Sequence, residues 1–156
     1  MKPFPPAVFP DLVDALLRAA FDTGAEADLV RELRADRDIA TEVTFQEHGE
    51  LLGYAALSWM RSPDGWLCLA PLAVAPGAQG RGIGSKVLQL TLKWAAERDL
   101  MIVVLGDPAY YEPRGFSQAR AAELRAPYPN EHLMLAGRGS EAPKARLVYP
   151  LALEPR

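Results

Sequence analysis

Gln79-Gly80-Arg81-Gly82-Ile83-Gly84-Ser85 is the stretch on which the fold turns. Glycines at alternating positions strip one surface of the turn of side chains, so backbone N–H groups can come close to a ligand. Upstream, Trp66 to Val74 is apolar nearly throughout, as a central strand buried on both faces would be. Downstream, Ile83, Val87, Leu88, Leu92 and Ala95 recur at helical spacing to near Arg98, with Lys86, Lys93 and Glu97 turned to water. Met101-Ile102-Val103-Val104-Leu105 follows as a short buried strand. Strand, glycine loop, helix, strand is a crossover unit, which predicts two parallel strands with a right-handed connection. The first turn of that helix carries amide donors without intrahelical partners, at the positive end of the macrodipole. Such a loop suits a phosphate or pyrophosphate.

Two familiar phosphate loops do not fit. The dinucleotide pattern G-x-G-x-x-G would need a third glycine at Ser85 or Val87, and no acidic residue follows about 20 positions on. The triphosphate loop needs Gly directly before its Lys, and here Ser85 precedes Lys86. The pattern that fits is Q/R-x-x-G-x-G/A, through Gln79, Gly82 and Gly84. Pro71-Leu72-Ala73-Val74-Ala75-Pro76 stands before it. Leu105-Gly106-Asp107-Pro108-Ala109-Tyr110-Tyr111-Glu112-Pro113-Arg114-Gly115-Phe116 stands after it, with Tyr111 four residues ahead of Gly115-Phe116.

Taken together, these segments resemble the GNAT N-acetyltransferases, and the Gly-Asp-Pro-Ala-Tyr-Tyr wording is similar to a poorly characterised bacterial subgroup. The resemblance implies an α/β (α+β) fold, a mixed central sheet flanked by helices that splays to admit acetyl-CoA. It implies that Leu72, Ala73 and Val74 offer backbone groups to the pantetheine arm and acetyl carbonyl. Gln79, Gly80, Arg81, Gly82, Ile83, Gly84 and Ser85 would hold the pyrophosphate, with Arg81 and Lys86 candidates for the 3′-phosphate. Tyr111 would be the general acid, since a phenol with pKa about 10 matches a leaving thiolate. An amine acceptor completes the reaction, with acetyl-CoA as cosubstrate and no metal. The chain departs from the family in one respect. The strand from Trp66 to Leu72 lacks the glutamate that many members use as base, which leaves a water chain, Glu112 or a residue of the N-terminal helices. That gap also keeps open a CoA-binding sensor or interaction module without turnover.

Working outward, Asp11 is read as a helix cap, with Leu12, Ala15, Leu16 and Ala19 on one face. A second helix is expected over residues 25–34. Thr41, Val43 and Phe45 alternate with polar residues, then Glu47-His48-Gly49-Glu50 turns into Leu51 to Met60, a hairpin pattern. Ser62-Pro63-Asp64-Gly65 is a further turn. Beyond Phe116, residues 133–136 and 146–153 are read as strands. A proline-rich lead replaces the usual opening strand, leaving at best a short extended piece near Ala7-Val8-Phe9. Sheet completion and homodimerisation stay open on that account.

The chain has 156 residues, 49% hydrophobic and 24% charged, which fits one domain over 1–156 with an ordinary core. A net charge of −3 argues against a nucleic-acid partner. The single cysteine, Cys68, excludes an internal disulfide and reads as a buried strand residue rather than a nucleophile. His48 and His132 lie apart without metal-site spacing, and Ser58 and Ser85 lack a hydrolase elbow. Trp59, Trp66 and Trp94 are read as core. No secretory leader or membrane span is visible, so the expectation is a cytoplasmic protein without membrane contact.

Overall fold

His48 and Gly49 both take positive φ, 52° and 77°. This is the mirror-image turn whose twist suits two antiparallel strands, and it joins the hairpin that the alternation anticipated. The computed structural model describes residues 9–155. In chain order it contains α1 (Phe9–Ala20), α2 (Ala25–Ala35), β1 (Ile39–Glu47), β2 (Glu50–Trp59), β3 (Trp66–Val74), α3 (Ile83–Ala96), β4 (Met101–Leu105), α4 (Pro108–Tyr111), β5 (Leu124–Arg125), β6 (Leu133–Ala136) and β7 (Ala145–Arg146), with short 3-10 turns between. The main sheet runs β1-β2-β3-β4-β6, and β5 and β7 pair apart from it. β3 and β4 are parallel, as the crossover requires, and the other neighbours in the main sheet are antiparallel.

Alternation along β2 divides the core. Ala55 and Leu57 face α3, packing with Val87, Leu88, Leu67 and Ile102. Tyr54 and Ala56 face the other way, onto Val13, Leu16 and Leu17 of α1 and Val30 of α2. Farther along that second face the tail takes over, with Leu147 and Tyr149 covering Cys68, Met101 and Val103. A fully buried Leu or Ile contributes about 1.5–3 kcal/mol, so both layers are needed to hold the sheet.

Several expectations need correcting. α1 begins at Phe9 rather than at an Asp11 cap, and it buries Val13, Leu16 and Leu17. Ala15 and Ala19 are exposed instead, because the sheet lies against a stripe offset from the one the small residues suggested. Met1 to Val8 lie outside the described residues, including the Ala7-Val8 piece, while Phe9 and Pro10 are helical. Residues 146–153 are not one strand. β7 stops at Arg146, Val148 makes only an isolated bridge to Ser62, and Leu151–Leu153 is a 3-10 turn. Pro150 explains the break, since it has no N–H to give a ladder. Trp59, the last residue of β2, is 40% exposed and not core.

Candidate functional site

The site begins where β3 and β4 part. They pair only through Trp66, Leu67 and Cys68 against Met101, Ile102 and Val103. β3 continues to Val74 bonded to β2 alone, with a bulge where Ala55 faces Leu72 but Leu57 faces Leu69. β4 continues to Leu105 bonded to β6 alone. The extra residue on β3 turns the strand and ends its partnership. The result is a cleft whose edge offers backbone groups of Leu72, Ala73 and Val74. Leu72 and Val74 pack towards α3, and Ala73 packs towards α1.

The glycine loop stands beside this cleft. Gly82 caps α3 in the left-handed region, φ 78°, which only glycine adopts without strain. The first helical bond is Lys86 N–H to the Gly82 carbonyl, 3.1 Å. The amides of Ile83, Gly84 and Ser85 precede it and have no carbonyl one turn back. Gln79 ties the loop to the strand end, donating to the Val74 carbonyl at 3.5 Å. Gly80 sits at the exposed tip. Arg81 is engaged by Glu47 across the hairpin at 2.7 Å, and that bond holds the Glu47 carboxyl below its ordinary pKa. Lys86, by contrast, is exposed and has no ion pair among the described residues.

α4 closes the other side. Asp107 caps it by accepting the Ala109 N–H at 3.0 Å, and Pro108 occupies the first turn, where no N–H is missed. Two tyrosines follow. The Tyr111 ring lies against Gly106, whose missing Cβ would stand 2.5 Å from the ring edge, and it meets Phe116 edge-on at 5.6 Å. Its hydroxyl has no hydrogen-bond partner among the described residues. Burial, helped by Tyr110, raises its pKa to about 12. Tyr110 points elsewhere: its hydroxyl occupies the space a side chain at Gly84 would take. Arg114 lies over the Tyr110 ring at 4.0 Å. It donates to the Tyr110 carbonyl at 2.6 Å and to Ser85 Oγ at 2.7 Å. Arg114 thus ties α4 to the start of α3, a role the sequence reading did not assign. Its spacing from Tyr110, four residues on a helical turn, was the available signal.

On the face of β3 away from α3 stand Trp66, Cys68 and Ala70, so no carboxylate lines the cleft there. Burial pushes the Cys68 thiol up to about 12, which leaves it a packing residue. Glu112 is exposed at the end of α4. Glu42 of β1, which the sequence reading passed over, accepts from Arg34 at 2.6 Å and from the Tyr54 hydroxyl at 2.5 Å. Tyr54 is 0% exposed, and burial with the nearby Glu42 charge drives its pKa up. This network pins α2 to the sheet. A cavity of about 560 Å³ opens at the end of β4, between Leu105, Gly106, Asp107 and Tyr128, Pro129, His132. The Gly106 N–H donates to the His132 carbonyl at 2.9 Å, so the tail histidine flanks the same glycine as Tyr111. His48 is exposed in its turn. No cluster of His, Cys, Asp or Glu suited to a metal occurs among the described residues.

The model of the acetyltransferase (GNAT) family matches residues 10–116. The chain is 37% identical over 122 residues to the uncharacterised N-acetyltransferase YhbS of Escherichia coli K12, covering 75% of this chain and 73% of that one. The crystal structure of Escherichia coli YhbS in complex with CoA superposes with a TM-score of 0.85, at 29% identity over 96% of this chain and 88% of that one. A GNAT acetyltransferase from Brucella melitensis in complex with acetyl-CoA gives 0.75, at 25% identity over 98% and 96%.

Proposed function

The chain belongs to the acetyltransferase (GNAT) family, and from that premise we propose that it transfers the acetyl group of acetyl-CoA directly to a primary amine of a small molecule or peptide. The observation that carries this reading is the parting of β3 from β4 after Cys68 and Val103, opposite a helix start capped by Gly82. The residues present fit the cosubstrate. A Cβ at Gly80 or Gly82 would meet nothing within 4 Å, so the approach to the loop is open. The amides of Ile83, Gly84 and Ser85 offer donors to a pyrophosphate.

Bound there, acetyl-CoA supplies a thioester: the amine nitrogen bonds to the carbonyl carbon, the C–S bond breaks, the amine gives up a proton and the thiolate takes one. The protein's residues position these groups. Backbone groups of Leu72, Ala73 and Val74 hold the pantetheine arm, and an N–H near Val74 steadies the oxyanion. Gln79 to Ser85 hold the diphosphate. Fixing thioester and amine together replaces a bimolecular encounter. Tyr111 gives its proton to the leaving sulfur, and its raised pKa keeps that proton in place at neutral pH. With no carboxylate on the face of β3 away from α3, the amine proton leaves through water. No helix among the described residues is long and apolar enough to cross a membrane, and we place the enzyme in the cytoplasm.

The test is thiol release from acetyl-CoA with a panel of primary amines, followed by mass spectrometry of the product. An acetylated amine formed in step with free CoA supports the reading. Tight acetyl-CoA binding without thiol release from any amine would replace it with a CoA-binding module.

A further inference from the structure

Resting on the acetyl-transfer reading, we propose that Arg125 and Arg146 form a binding site for an anionic group, carboxylate or phosphate, on the acceptor amine. The two arginines are direct partners across the parallel pair β5–β7. Neighbouring strands lie about 4.8 Å apart, and like charges directly opposite each other repel. Leu124 beside them is buried, at 2% exposure, which turns Arg125 outward. The backbone is pinned by Leu147 N–H to the Arg125 carbonyl at 2.7 Å and by Asn130 to the Leu124 carbonyl at 3.1 Å. The two exposed arginines therefore spring from a fixed backbone frame.

Five of the other arginines, Arg18, Arg31, Arg34, Arg81 and Arg138, have carboxylate partners, while Arg37 and Arg61, like this pair, have none among the described residues. Among the described residues neither Arg125 nor Arg146 has an ion pair or a side-chain hydrogen bond. Together they line a cavity of about 670 Å³, shared with Tyr149 and Glu154. Its wall thus carries two guanidiniums against one carboxylate, in a chain whose net charge is −3. Tyr149, only 3% exposed, forms the floor of this cavity. Two planar forks side by side match a carboxylate or phosphate bidentately.

The cavity is also linked to the end of β4 through packed side chains. The Tyr149 ring meets Tyr128 edge-on at 5.2 Å, and Tyr128 lines the opening at the end of β4 with Gly106 and Asp107. Gly106 is the residue against which Tyr111 packs. An acceptor anchored by its anion at Arg125 and Arg146 can run along Tyr128 and present its amine at the mouth of the cleft.

The experiment compares matched amines on the full chain by calorimetry: phosphoethanolamine against ethanolamine, and 4-aminobutyrate against 4-aminobutanamide. The two pairs separate phosphate from carboxylate preference. At least one anionic member should bind tenfold or more tightly than its neutral partner. R125Q/R146Q should abolish the difference, and R125K/R146K should keep part of it. Glu154→Gln should strengthen anion binding several-fold, a gain that misfolding cannot mimic. Equal affinity within both pairs overturns the proposal, as does a preference that survives R125Q/R146Q. Thiol release with the same amines is scored separately. Anion-selective binding without thiol release from these amines or from the wider amine panel would leave this site standing and remove acetyl transfer. Equal release from all four amines would do the reverse.

Discussion

The crossover from β3 to β4 closes on itself within one stretch of chain, whereas the tail after Phe116 also reaches back to Ser62, ahead of β3. In the crossover, the loop, its helix cap and the Tyr110–Arg114–Ser85 bracket all lie within residues 79–114. In the tail, Arg120 bonds the carbonyls of Gly137, Arg138 and Glu141, the Tyr128 hydroxyl reaches the Leu153 carbonyl, and Val148 bridges back to Ser62. The family match ends at residue 116. A site for a fixed cosubstrate can be written in a short motif. A site for an acceptor is assembled by packing, and its chemistry shows only once the chain is folded.

The sharpest way to break this division is at Tyr111. Tyr111→Phe should lower thiol release more than tenfold with acetyl-CoA affinity unchanged. Unchanged turnover would remove Tyr111 from the chemistry. The pH profile refines the point. A phenol's ordinary pKa is about 10, and burial raises that of Tyr111 to about 12. The folded state therefore holds the proton more tightly than the unfolded one. The stability this confers is complete below pH about 10 and is lost as pH climbs through about 12. Thiol release should show no alkaline decline up to pH 10, and a fall beginning near pH 8 would contradict the assignment.

Next in size is Gly82→Val. A β-branched residue at φ 78° is strained by about 1–2 kcal/mol and disturbs the amides at the start of α3. Acetyl-CoA affinity should drop about tenfold and the thermal midpoint by a few degrees. Retained affinity would mean that the loop does not hold the cosubstrate. The smallest effect is expected at Tyr54→Phe, in the layer away from the loop. Losing its bond to Glu42 should cost about 1–2 kcal/mol of stability, read by urea denaturation, with acetyl-CoA affinity unaltered. A matching loss of affinity would show that the two layers are coupled.

These contrasts also explain what could be read in advance. β3, β4 and α3 were legible because their apolar periodicity decides burial directly, and the glycines fix where the helix starts. The α1 face was misread because Ala15 and Ala19 looked apolar, while the sheet chose Val13 and Leu17. Residues 146–153 were misread because an apolar run says nothing of partners, and Pro150 cannot join a ladder. Glu42 and Tyr54 looked like ordinary strand positions. Only the register that sets β1 against β2 and α2 over both makes them a network. Arg125 and Arg146 are far apart in sequence, and nothing local in either marks the other.

The most direct measurement is the thermal midpoint of the full chain titrated with acetyl-CoA, CoA and NAD. A ligand at 100 times its dissociation constant adds about 2.7 kcal/mol, roughly 5–10 °C for a chain of this size. Binding in the cleft between β3 and β4 predicts that rise with acetyl-CoA and CoA and none with NAD. No shift at saturating acetyl-CoA, or an equal shift with NAD, would contradict it.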